Sequence, residues 1–162
     1  MIIHDITKKY KPDIFFILLL VIIFILSATL LGYIYGDLFM DCGREAYLPE
    51  LILQGKVLYK DIFGMYNPLS YQINALLYLL FGAKLSTLYC ASYFNALMIL
   101  IGLYFICRIF INEFYSFTFC TLISGYFIFG SVNLISYIFP YSYAYPYACC
   151  CFIYSTLFFY IL

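Results

Sequence analysis

The chain has 162 residues, of which 67% are hydrophobic and 10% are charged, and its formal net charge is zero. Soluble domains have about 25% charged residues, so this chain has too few polar side chains to cover a surface in water. The balanced charge argues against a nucleic-acid partner, which requires basic patches. The composition therefore predicts an all-α polytopic membrane protein whose surroundings are the lipid bilayer.

The first predicted element is a membrane helix near the N-terminus. Residues 14–36 form a run of 23 residues without a charge, which is long enough to cross a bilayer core of about 30 Å. The apolar part of a cleaved signal peptide is shorter, about 7–15 residues, and GYIYGD is a poor cleavage site. We therefore interpret the run as a retained signal anchor. The basic KKYK before it favours a cytoplasmic N-terminus.

Four more apolar segments follow, and the last uncharged run is divided near Pro140 and Pro146. The five predicted spans are about 14–35, 68–83, 86–107, 114–135 and 142–162. With the N-terminus inside, the basic residues divide four against four, with Lys84 on the inner side and Arg108 on the outer side, so the count does not set the orientation. The chain stops within an apolar run, so we expect 1–162 to be one membrane domain from the N-terminal part of a longer protein.

The sequence does not indicate a metal site or a cofactor. Its seven cysteines form no CxxC pair, and this pattern predicts neither a zinc site nor a disulfide framework. His4 is the only histidine, and a metal site built on a single histidine is not expected.

The charges are concentrated in one segment. Half of the sixteen charged residues lie between positions 37 and 61. Five side chains there recur at the spacing of one helix face, namely Asp37, Asp41, Arg44, Glu45 and Leu48. This pattern predicts an amphipathic helix around 38–54 along the membrane surface, within a non-cytoplasmic loop at 37–66. The helix is expected to turn its acids to water or to a cavity, to end before Gly55, and to be followed by a helix starting at Pro68.

The role of this segment has two interpretations at this stage. Its charges either keep a solvated loop out of the bilayer or form a functional site. A similar choice applies to polar residues spaced along the next span, Asn67, Tyr71, Asn74 and Tyr78. The favoured interpretation is that they join helices by hydrogen bonds, and the alternative places Asn67 and Tyr71 at the lip of a sugar cavity.

An apolar anchor followed by the stretch DCGREAYLPELILQGKVLYKDIFGMYNPLSY, at 41–71, resembles the opening of the polytopic GT-C glycosyltransferases. The resemblance covers about residues 14–107 and is most specific over 37–82. These enzymes include protein O-mannosyltransferases, aminoarabinose transferases of lipid A and galacturonosyltransferases of lipopolysaccharide core. The resemblance implies sugar transfer from a polyprenyl-phosphate donor to a lipid, glycan or protein acceptor on the non-cytoplasmic face of a bacterial inner membrane. The acceptor itself is not identified.

The resemblance also implies site residues. Asp41 matches the aspartate taken as the base that activates the acceptor, whereas Cys42 stands where many members have Glu. Glu45 follows one helical turn later. YKD at 59–61 and NPL at 67–69 match the segment that returns the loop to the second membrane helix. Arg44 or a loop lysine is suited to bind the donor phosphate. The possible supporting residues are Arg44, Glu45, Lys60, Asp61, Asn67 and Tyr71. No metal ligand is predicted, and a divalent metal is not indicated.

Other functions are weighed against this one. A transporter or flippase is expected to carry ionisable groups within its spans or to repeat its halves, and the predicted spans have neither feature. A non-catalytic membrane subunit or an inactive fragment remains an alternative.

Overall fold

The computed structural model describes residues 2–31, 41–125 and 142–161, and their side chains over 13–30, 43–125 and 142–160. In these ranges the chain forms six helices, which confirms the all-α prediction. They are α1 (Ile2–Leu31), α2 (Asp41–Leu53), α3 (Pro68–Phe81), α4 (Leu85–Phe110), α5 (Glu113–Ile123) and α6 (Ala144–Ile161). Each predicted span coincides with a helix over its described part. The parts at 32–35 and 126–135, and positions 38–40 of the predicted surface helix, lie outside the described residues.

The centre of the fold is an antiparallel pair, α1 and α4. Asp13 at one end of the pair bonds to Tyr104, whereas Phe24, three turns further along α1, contacts Tyr93. Between these points lies a core of fully buried apolar residues that includes Leu20 and Leu100. Large side chains on the facing sides of α1 and α4 thus pack against one another along most of the helix length.

The helices α5 and α6 pack along this pair. The ring of Phe117 in α5 lies 5.4 Å from that of Phe16 in α1. The Tyr154 hydroxyl of α6 donates to the Met98 carbonyl of α4 at 3.0 Å. Gly102 permits the close approach of α6, because a Cβ at this position would lie 2.4 Å from Cγ2 of Ile153.

The helices α2 and α3, with the loop between them, form a layer at one end of the bundle, which we call the end layer. α2 packs mainly on α3, and the Tyr147 hydroxyl in the first turn of α6 donates a hydrogen bond to Asn74 of α3. At 1.5 Å per residue, the 14 residues of α3 extend about 21 Å. This length is less than the bilayer core of about 30 Å, so the predicted span at 68–83 is a helix that is too short to cross alone.

The boundaries of the end-layer helices follow the predicted signals. α2 ends at Leu53, and Gly55 adopts a left-handed φ of 84° while its N–H bonds to the Ile52 carbonyl at 3.0 Å. α3 begins with Pro68 at its first position, where the missing N–H costs no intrahelical bond. Both predicted boundaries are confirmed.

The structure corrects the assignment of two basic residues to opposite faces. Lys84 lines a cleft together with Glu50 of α2, so it lies at the same end as the end layer. Arg108 instead bonds to Asp13 at the other end. Relative to the loop at 37–66, the two residues therefore lie at the ends of the bundle opposite to those predicted.

Two helices in the described part of the chain are long and apolar enough to cross a membrane. Their qualifying segments are Asp13–Leu30 and Leu85–Phe110, as judged by length and composition.

Candidate functional site

Glu45 is the most deeply enclosed acidic residue in the end layer. Its exposure is 0%, and Leu48 and Pro49 beside it on the same face of α2 are also buried. This face was predicted to meet water or a cavity, but it packs inward instead. The reason is that neighbouring elements supply hydrogen-bond donors for the carboxylate, so its burial does not leave both oxygens unsatisfied.

Three elements meet at the Glu45 carboxylate. The Tyr71 hydroxyl of α3 donates to Oε1 at 3.1 Å, and the Tyr143 backbone N–H, just before α6, donates to Oε2 at 3.3 Å. Nε of Arg44 lies 3.6 Å from Oε1, which is beyond good hydrogen-bond geometry. Glu45 therefore ties α2 to α3 and α6 through two neutral donors, and the Arg44 guanidinium group lies beside it.

The electrostatics of Glu45 follow from this environment. Burial disfavours the charged carboxylate and raises the pKa of Glu45 above its usual value. The Tyr143 N–H, the Tyr71 hydroxyl and Arg44 partly oppose this effect. The net result is a carboxyl group that retains its proton to higher pH than an exposed glutamate does.

Arg44 extends from Glu45 toward the loop before α3. Its side chain is 23% exposed, its guanidinium carbon lies 5.2 Å from the centre of the Tyr66 ring, and its Nη1 lies 3.6 Å from Sδ of Met65. A guanidinium over an aromatic face is held by a cation–π attraction. Arg44 thus presents a positive charge at the edge of the buried site.

A second group of hydrogen bonds adjoins Glu45. The Tyr147 hydroxyl donates to Oδ1 of Asn74 at 2.7 Å, and Oγ of Ser92 donates to the Tyr143 hydroxyl at 2.9 Å. Asn74 is fully buried, and its Nδ2 has no hydrogen-bond partner among the described residues. We call the whole group the Glu45 cluster, which comprises Arg44, Glu45, Tyr71, Asn74, Tyr143 and Tyr147.

The other predicted site residues lie elsewhere. Asp41 is the first residue of α2, and its side chain lies outside the described residues. Lys60 and Asp61 are exposed in the loop, where Oδ2 of Asp61 accepts the Val57 N–H at 2.9 Å. Asn67 is exposed directly before α3. The structure therefore brings together Arg44, Glu45 and Tyr71 and leaves Lys60, Asp61 and Asn67 on the surface.

A second buried acid, Asp13, lies at the opposite end of the bundle. It accepts the Tyr104 hydroxyl at 2.9 Å and hydrogen bonds from the Arg108 guanidinium. Arg108 Nη2 also lies 3.6 Å from Oε2 of Glu113 at the start of α5. We call these four residues the Asp13 cluster, which joins α1, α4 and α5.

Sequence reasoning missed parts of both clusters. Tyr143 and Tyr147 were not among the predicted site residues, because no spacing rule links them to Glu45, about 100 positions earlier. For Tyr71 and Asn74, the favoured interpretation as helix-joining residues is confirmed. Asp13 and Arg108 could have been identified from the sequence, because each is the single charge at one end of an apolar run.

No group of three or more His, Cys, Asp or Glu side chains that could hold a metal ion occurs in the part of the chain that the structure describes. No family model, curated protein or solved structure matches this chain.

Proposed function

We propose that this chain belongs to a membrane glycosyltransferase of the GT-C type, which moves a sugar from a polyprenyl-phosphate donor to a lipid, glycan or protein acceptor. In this proposal it is a multi-pass protein of a bacterial inner membrane with a cytoplasmic N-terminus. The end layer then lies at the non-cytoplasmic face, where the lipid-linked donor and the acceptor meet.

The exposure of apolar side chains supports the membrane placement. Only 17% of the segment Asp13–Leu30 is buried within the protein, and 39% of Leu85–Phe110. Leu18, Ile22 and Leu26 of α1 are each more than half exposed. An apolar core helix of a water-soluble protein would bury such residues, whereas a helix in contact with lipid acyl chains exposes them.

The separation of the two clusters agrees with a membrane thickness. Leu88 contacts the Glu45 cluster through the Tyr143 hydroxyl, and Tyr104 belongs to the Asp13 cluster. Sixteen residues of α4 separate them, which is roughly 24 Å along a helix. We therefore propose that α1, α4, α5 and α6 cross the bilayer, with the Asp13 cluster near the cytoplasmic face and the end layer at the other.

One observation carries the catalytic part of the proposal. Asp41 starts α2, one helical turn before a buried carboxyl group that adjoins a partly exposed arginine. In the proposed step, the Asp41 carboxylate accepts the proton of the acceptor hydroxyl, whose oxygen attacks the anomeric carbon of the sugar. The bond from that carbon to the donor phosphate breaks, and the polyprenyl phosphate leaves with the electron pair. Arg44 stabilises the departing phosphate, and Glu45 positions Arg44.

The test is a transfer assay with the full chain in membranes, using radiolabelled polyprenyl-phosphate sugars. Asp41→Asn keeps the size of the side chain but removes the base, so transfer should fall by about 10²–10⁴-fold. Asp61→Asn is the matched control, because Asp61 is exposed in the loop of the same layer, and its loss should be smaller. Near-normal transfer by Asp41→Asn would contradict the proposed role.

A non-catalytic membrane subunit is the second candidate. The observation that favours it is that both Glu45 oxygens accept hydrogen bonds from the protein itself, as in a purely structural link between helices. In that case neither Asp41→Asn nor Glu45→Gln would alter transfer by any complex that contains the chain, and Glu45→Gln would change only its stability.

A further inference from the structure

A cleft separate from the Glu45 carboxylate opens between α2 and the turn that joins α3 to α4. Its volume is about 260 Å³. Gly43 and Ala46 of α2 line one side, and their small side chains leave the space open. Lys84 and Leu85 line the other side at the start of α4. The cleft therefore lies where the end layer meets the first turn of a proposed membrane helix.

Two opposite charges face this cleft. Glu50 projects from α2 and Lys84 from the turn, and both side chains are exposed. Neither forms a salt bridge or a hydrogen bond through its side chain with another residue in the described ranges. The cleft thus offers one carboxylate and one ammonium group that are not engaged with each other.

An apolar groove adjoins the same turn. Its volume is about 560 Å³, within the range of about 300–1,000 Å³ that ligand pockets occupy. It begins beside the turn and follows the first turns of α4, from Ser86 to Phe94. Its lining residues come from α3 and α4 and are Leu77, Phe81, Ser86, Thr87, Cys90, Ala91 and Phe94.

We propose that the cleft and the groove together bind one phospholipid with a primary-amine headgroup, such as phosphatidylethanolamine. The Lys84 ammonium group pairs with the lipid phosphate, the Glu50 carboxylate accepts hydrogen bonds from the lipid ammonium group, and one acyl chain occupies the groove. Charge complementarity selects this occupant, because opposite ionic groups of the protein match the two ionic groups of the lipid.

The same argument ranks other lipids below this one. A phosphatidylglycerol headgroup has no cation for Glu50, so the carboxylate meets only negative or neutral groups. A phosphatidylcholine headgroup carries a quaternary ammonium without N–H donors, so it cannot donate hydrogen bonds to Glu50. A polyprenyl phosphate would use Lys84 and the groove but would leave Glu50 opposite an anion. The inference rests on the membrane placement proposed above, but not on sugar transfer.

The test is native mass spectrometry of the full chain released from nanodiscs that contain equal amounts of phosphatidylethanolamine, phosphatidylcholine and phosphatidylglycerol. The wild-type chain should retain one phosphatidylethanolamine in preference to the other two. Glu50→Gln should lower the ratio of retained phosphatidylethanolamine to phosphatidylcholine by roughly tenfold, since the glutamine oxygen still accepts a hydrogen bond but lacks the negative charge that strengthens it. Lys84→Gln should lower retention of every phospholipid.

The controls separate specific binding from general effects. Lys56→Gln removes an exposed lysine from the loop of the same layer, and retention should match the wild type. Ala91→Phe fills the groove and should lower retention while Lys84 and Glu50 remain; size-exclusion profiles check that each variant is folded. Equal retention of all three lipids, or no effect of Glu50→Gln, would overturn the proposal. Preferential retention of added polyprenyl phosphate that depends on Lys84 alone would overturn it as well, and would assign the groove to the sugar donor. Because the experiment measures lipid retention, its result does not depend on whether the chain transfers sugars.

Discussion

Asp13 and Glu45 are both buried carboxyl groups, but the protein balances their charges differently. Asp13 accepts hydrogen bonds from the guanidinium group of Arg108 and from Tyr104. Glu45 is bonded to a tyrosine hydroxyl and a backbone N–H, and its nearest arginine nitrogen lies 3.6 Å away. The Asp13 cluster is thus a closed ion pair, whereas the Glu45 cluster holds a carboxyl group mainly through neutral donors.

Under the proposed function, this difference corresponds to a structural role for the Asp13 cluster and a chemical role for the Glu45 cluster. Asp13 has a directly bonded arginine, and its cluster fixes three helices against one another. Burial raises the pKa of Glu45, so its carboxyl group retains its proton to higher pH than an exposed glutamate does. If the proposed function holds, the Asp13 end of the bundle acts as an anchor and the Glu45 end takes part in the chemistry.

The largest expected effect concerns the two ends themselves, since they are proposed to lie on opposite faces of the membrane. In a variant without native cysteines, an impermeant thiol reagent applied to intact spheroplasts should label Lys84→Cys and should not label Ile111→Cys. Both positions are exposed at the ends of α4. Labelling of Ile111→Cys should appear only after permeabilisation.

The labelling experiment also tests whether Lys84 lies with the end layer, as in the structure, or on the opposite face, as the sequence predicted. The sequence placed Lys84 on the cytoplasmic side, whereas the cleft that it shares with α2 places it with the end layer. Labelling of both positions from the outside, or of Lys84→Cys only after permeabilisation, would mean that α4 does not cross the membrane in the proposed direction.

The next effect is on stability. Arg108→Met leaves Asp13 buried without its ionic partner and should lower the free energy of unfolding by about 3 kcal/mol, since breaking a buried pair costs about 3–5 kcal/mol and Arg108 is 27% exposed. Arg44→Met is the matched variant and should cost about 1 kcal/mol, because Glu45 keeps its bonds to Tyr71 and Tyr143. Denaturation with dodecyl sulfate, followed by circular dichroism, measures both. Equal losses of unfolding free energy in the two variants would contradict the distinction between the two clusters.

The sequence predicted the helical class and the helix at each apolar run, because these depend on local composition and on proline, glycine and charge at the boundaries. It also predicted that Arg44, Glu45 and Tyr71 belong to one site. It was wrong about which way Glu45 faces, since the burial of an acid depends on donors such as the Tyr143 N–H that come from a distant segment. The predicted span at 68–83 exceeds α3 only at its C-terminal end, where Gly82 ends the helix with a left-handed φ of 92°.

The smallest expected effect is a pH dependence that separates the two acids. The folded chain raises the pKa of Glu45, so between the unfolded and folded pKa values the folded state holds a proton that the unfolded state has released. The stability linked to this proton is fully present below the unfolded value, near 4.5, and is lost as pH rises through the folded value. Arg44, Tyr71 and Tyr147 face the same group and remain in all variants.

We therefore expect the unfolding free energy of the wild type to fall over this pH range relative to that of Glu45→Gln, which binds no proton there. The measurement is the difference between the two stability curves, because other titrating groups then cancel. Glu50→Gln is the matched control for loss of one carboxyl group from α2. A Glu45→Gln curve parallel to the wild type would show that the folded protein does not favour the protonated form of Glu45. The Glu45 cluster would then be a fixed link between helices, like the Asp13 cluster, and the division between an anchoring end and a chemical end would no longer hold.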